Sequence, residues 1–151
     1  MTLPISQETR HTNHLSQPDL VSDTVALNFE ERLLRRRVLT TVKGHKFLVN
    51  FVKTIAVNQH DAFVLEDGHR IGVVLALEPL LEVKGNLSRL AWHIGNRHTP
   101  CQIEQHRLLI QDNHVMADML RVLGAKTRSV TEPFDPERGA YGLGRTHAHT
   151  H

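Results

Sequence analysis

A change of period near Glu78-Pro79 constrains this chain more than any other feature. Before it, apolar and polar residues alternate, the pattern of half-buried strands. After it, two segments carry apolar residues at helical spacing among shorter β-rich runs. Upstream, Val25, Leu27 and Phe29 fall on one face of residues 24–29. Runs 37–42 and 46–52 flank Lys43-Gly44-His45, a hairpin turn. Runs 62–65 and 70–77 flank Asp67-Gly68, the strongest short hairpin signal in the chain. These features predict an all-β domain of about six strands over residues 23–78. Residues 1–22 are polar with two prolines and are expected to form a disordered arm.

Downstream, residues 80–84 read as a strand. Asn86 can cap a helix carrying Leu87, Leu90, Ala91 and Ile94, which Gly95-Asn96 ends. Two short strands, 102–104 and 107–111, turn at Gln105-His106. A second helix runs to Gly124, and residues 126–132 form a last strand before Pro133. Strand, helix, strand, strand, helix, strand is the ferredoxin-like βαββαβ order, predicted over residues 79–135. The class is therefore α+β. Residues 136–151 are Gly-rich and read as a flexible tail.

The second helix carries the candidate chemistry. Asp112 is its expected N-cap, and Val115, Met116, Met119, Leu120 and Leu123 its apolar stripe. His114 lies in the first turn at the edge of that stripe. A helix N-terminus disfavours added positive charge, which suits a neutral imidazole, the form that ligates a metal. Asp118, one turn on, could accept from its second ring nitrogen. In a two-fold dimer through this surface the two His114 rings would face each other. The tail ends Thr146-His147-Ala148-His149-Thr150-His151. In an extended chain alternate side chains point the same way, so His147, His149 and His151 could reach one ion. A solvated tail and a cloning remnant are the competing readings. Imidazoles without thiolates suit nickel, copper or zinc, and affinity order does not choose among them.

Composition narrows the classes. Twelve histidines in 151 residues are the unusual count, while a formal charge of +2 is too mild to argue for nucleic acid. Cys101 is the single cysteine, so an intramolecular disulfide is excluded, and it reads as a small buried hydrophobe. No apolar run suggests a leader or a membrane span, and the cytoplasm is the expected location. Arg32, Arg35, Arg36 and Arg37 could meet RNA or an acidic partner, but a charged strand edge that resists sheet-to-sheet pairing is favoured. His93 and His98 lack helical ligand spacing. His45, His60, His69 and His106 fall at turns and read as solvated. No catalytic constellation is present, and the chain is not expected to be an enzyme.

Several stretches, taken jointly and in order, carry a resemblance. They are Val64-Leu65-Glu66-Asp67-Gly68, Glu78-Pro79-Leu80-Leu81-Glu82-Val83 and Trp92-His93-Ile94-Gly95-Asn96-Arg97-His98. Gln102-Ile103-Glu104, the helix from His114, and Pro133-Phe134 followed by Gly139-Ala140-Tyr141-Gly142 complete the set. The chain resembles the UreE family of nickel-binding urease accessory proteins. The resemblance implies a peptide-binding-like β domain, a ferredoxin-like metal-binding domain and a homodimer built through the latter. It maps an interfacial metal ligand onto His114 and tail ligands onto His147, His149 and His151. It assigns no role to Asn113. It also implies nickel donation to apo-urease with other accessory proteins, including a GTPase. The alternative is a divalent-metal buffer without a specific client.

Overall fold

Alternating residues in the first half build six strands, β1 Ile5–His11, β2 Val21–Leu27, β3 Leu33–Thr40, β4 Lys46–Ala56, β5 Asp61–Leu65 and β6 Arg70–Leu75. The computed structural model describes residues 2–11 and 21–138 and divides into two units, Met1–Ala76 and Leu77–His151. In the first unit the strands form one sheet ordered β2-β6-β5-β1-β4-β3. Both expected hairpins are present, and Gly44 and Gly68 take the positive φ their turns demand. The inward rows of β2 to β6 supply the core, including Leu27, Leu34, Phe47, Val49 and Phe63. The sheet curls until its edges approach. Val42 N–H donates to the Thr24 carbonyl at 2.8 Å, and Lys43 Nζ donates to the Ser22 carbonyl at 2.9 Å.

Two expectations are corrected in this unit. Part of the predicted disordered arm is β1, an interior strand parallel to β4 and antiparallel to β5. Most of its side chains are exposed or half-buried, so hydrophobic patterning could not reveal it; ladder hydrogen bonds on both sides hold it. Residues 12–20 lie outside the described residues. Arg32 also leaves the basic run. It is buried in a 3-10 turn, donates to the Leu27 carbonyl at 3.2 Å and stacks over Phe29. Arg35, Arg36 and Arg37 remain exposed on edge strand β3.

The second unit is β7 Leu77–Lys84, α1 Leu87–Asn96, β8 Gln102–Ile103, β9 Leu108–Gln111, α2 His114–Val122 and β10 Lys126–Pro133. Its sheet order, β10-β7-β9-β8 with every pair antiparallel, is that of a ferredoxin-like fold. Asn86 caps α1 by accepting from Arg89 N–H at 3.2 Å. Leu90 and Ile94 of α1 and Met116, Ala117 and Leu120 of α2 pack over Leu81, Val83, Leu108 and Ile110. Period-2 alternation puts Glu82 on the opposite face of the sheet. There Arg107 binds Glu82 at 3.0 Å, Glu104 at 2.9 Å and Glu132 at 2.7 Å. Glu82 is almost fully buried and also meets Arg128 at 3.2 Å. Burial pushes its carboxyl up, but hydrogen bonds from Arg107 and Arg128 outweigh that and hold it below the usual value.

Candidate metal-binding surface

Three devices build the helix that presents His114. Asn113 is extended, and its side-chain oxygen accepts from Val115 N–H at 2.9 Å and Met116 N–H at 3.2 Å. Met116, Ala117 and Leu120 anchor the inner face. Gly124, at φ +91, lets the chain leave. His114 then stands exposed on the first turn.

The expected cap and stripe both need correction. Asp112 lies one residue too early, and its carboxylate accepts from the Ser129 hydroxyl at 3.5 Å. Capping falls to Asn113, whose oxygen reaches two of the free amides of the turn. Val115 is 55% exposed, and its expected core place is taken by Ala117. The outer side of α2 therefore carries a second apolar row, Val115, half-buried Met119 and Val122, the last 88% exposed. Their spacing of four and then three residues puts them in one line along the helix that begins at His114. Asp118 is not positioned by His114. Its carboxylate pairs with Arg121 at 3.1 Å, and Arg121 also donates to the Thr127 hydroxyl at 3.1 Å.

The end of α1 lies against this turn, since the Thr99 hydroxyl donates to Met116 Sδ at 3.9 Å. Two residues further on, the Cys101 carbonyl accepts from Glu137 N–H at 2.8 Å, while Gln102 Oε1 accepts from Asp135 N–H at 2.8 Å. The segment after β10 is thus tied to β8, with Phe134 fully buried at its start. The described chain thus ends against the start of β8, two residues beyond the Thr99 contact with the first turn of α2. Cys101 packs against the core as expected, and burial, with the Glu137 carboxylate nearby, pushes its thiol up to about 11. His147, His149 and His151 lie outside the described residues. Among the described residues no group of three His, Cys, Asp or Glu side chains is gathered to hold a metal.

Two family models cover nearly the whole chain. The UreE urease accessory protein N-terminal domain matches residues 5–76, and the C-terminal domain of the same protein matches 78–151. The chain belongs to the UreE family. Its relatives include the urease accessory protein UreE of Ruegeria pomeroyi, 55% identical over all of both chains. That of Rhodobacter capsulatus is 54% identical over 86% of this chain and 83% of its own. That of Paracoccus denitrificans is 52% identical over 81% of this chain and 79% of its own. The match from residue 5 makes β1 part of the UreE N-terminal domain. No helix among the described residues is long and apolar enough to cross a membrane.

Proposed function

We propose that this UreE-family chain serves urease maturation as a nickel carrier, with nickel as cargo passed on to apo-urease alongside other accessory proteins, a GTPase among them. The observation that carries the reading is a helix that presents exposed Val115 and Val122, with half-buried Met119 between them, together with an exposed His114. An apolar row of this kind on a helix has use as a contact surface. Two copies meeting across a twofold axis would cover the row and bring the two His114 rings together. One imidazole is an incomplete site, and a second from the partner copy makes a pair with open positions. Glu137 is held at Cys101, just beyond the Thr99 that touches Met116 of the His114 helix. Ten further residues lead to His147, a reach of at most about 35 Å when extended. His147, His149 and His151 are the ligands that complete or exchange the coordination. Nitrogen donors also accept zinc and copper, so preference for nickel rests on the hand-off partners.

Nickel titration by calorimetry, with mass measured by light scattering, tests the reading. The wild-type chain should be a dimer with one tight site shared by two copies. His114→Ala should remove that site, and a chain ending at Arg145 should keep it while binding fewer ions. Val122→Glu should yield monomers that have lost the tight site. A monomeric wild type, or an unchanged tight site in His114→Ala, overturns the proposal.

A further inference from the structure

The first unit holds a buried acid that the carrier reading does not use. Asp23 follows a register shift in β2, and alternation puts it on the inward row with Val25 and Leu27. Its side chain is only 5% exposed. Oδ1 accepts from Thr24 N–H at 2.8 Å and Lys43 N–H at 3.4 Å. The Thr41 hydroxyl also bears on this carboxylate, while Oδ2 is fully buried and has no hydrogen-bond partner of its own among the described residues. A carboxylate oxygen withdrawn from water without a partner is costly, so such an atom points to something that completes it.

What faces it is a second Lewis base. His45 Nδ1 stands 3.8 Å from Oδ2, on a ring 79% exposed and free to turn. Both residues line a cavity of about 400 Å³ where the two sheet edges meet, walled by Phe47, Leu65 and Ile71. His69 lines the same cavity. Its Nδ1 is 2.9 Å from Asp67 Oδ2, which orients the ring and leaves Nε2 as the donor, the usual support for a metal-bound histidine. Lys43 and Lys46 also line the cavity, and the Lys43 ammonium is tied to the Ser22 carbonyl. An oxygen and a nitrogen 3.8 Å apart can each stand about 2.1 Å from one ion between them.

We propose that Asp23 and His45 form a second metal site, in the β unit, for a divalent first-row transition ion such as nickel or zinc. Water fills the remaining positions, and His69 stands on the wall of the same cavity. With one carboxylate and one exposed imidazole from the protein the site is weaker and faster-exchanging than one shared between two chains. It goes beyond the carrier reading and does not depend on His114.

The test is paramagnetic broadening of backbone amide signals of the full-length protein titrated with nickel alone. Amides of Thr24, Lys43, His45 and His69 should broaden in the wild type and equally in His114→Ala. Asp23→Asn keeps an oxygen for the Thr24 and Lys43 amides, so the fold is retained. In that variant the apparent affinity read from these signals should fall roughly tenfold or more. His45→Gln, at an exposed position, should do the same. Broadening absent from these amides overturns the proposal, as does broadening that persists in both Asp23→Asn and His45→Gln. Broadening lost in His114→Ala would assign the effect to the helix site and also overturn it.

Discussion

Asn113→Ala tests how His114 is held. In the folded chain one side-chain oxygen satisfies two amides that the helix cannot, those of Val115 and Met116. Losing an N-cap of this kind costs about 1 kcal/mol. The helix is short, nine residues, so little propensity within it can absorb the loss. For a unit of this size about 1 kcal/mol lowers the melting temperature by roughly 4–8 °C. Asp112→Ala removes only a long contact to Ser129 and should stay within about 0.5 kcal/mol. Asn113→Asp keeps the acceptor and adds a charge suited to a helix N-terminus, so stability should return. Urea unfolding followed by circular dichroism measures all three. The loosened first turn carries His114, so Asn113→Ala should also weaken the tight nickel site while Asp112→Ala leaves it unchanged. If Asp112→Ala proves as costly as Asn113→Ala, the capping argument fails, and with it the account of how His114 is positioned.

Two further predictions concern the polar face of the second sheet. Arg107→Met takes their shared partner from Glu82, Glu104 and Glu132, leaves Glu82 with Arg128 and Lys84, and should destabilise by about 1–3 kcal/mol, read as a lower urea midpoint at pH 7. The same network sets an acid limit. Hydrogen bonds from Arg107 hold the Glu132 carboxyl below the ordinary value of 4.5, against the push of burial. A depressed folded-state value gives stability that is complete above 4.5 and lost as pH falls through the folded value. Wild type should therefore lose stability below about pH 4.5, and the gap between it and Arg107→Met should narrow there; a gap constant from pH 7 to pH 3 would refute the assignment.

Much of the architecture was legible in the chain because it rests on local rules. Period-2 runs around Gly44 and Gly68 form their hairpins. The βαββαβ order follows from the caps and spacing of two amphipathic helices. His114 was singled out by its place in a first turn. What escaped the sequence depends on neighbours distant along the chain. The β1 strand has almost no hydrophobic pattern, and only β4 and β5, dozens of residues away, give its backbone partners. Asp112 and Asn113 are both good caps by composition, and a one-residue shift in where the turn begins decided between them.

By itself, then, the sequence determined most of the strands and both helices of the second unit, where they turn, and that imidazole is its distinctive side chain. Backbone dihedral preference and hydrophobic period act over a few residues, so one chain read in order suffices for that. Only the tertiary structure decided which apolar residues of α2 remain outside the core, that the tail root is held at the start of β8, and that Asp23 lies buried opposite His45. Each of these is set by the closing of a sheet or the packing of a helix on it, and a side chain's exposure belongs to that assembly, not to its own segment.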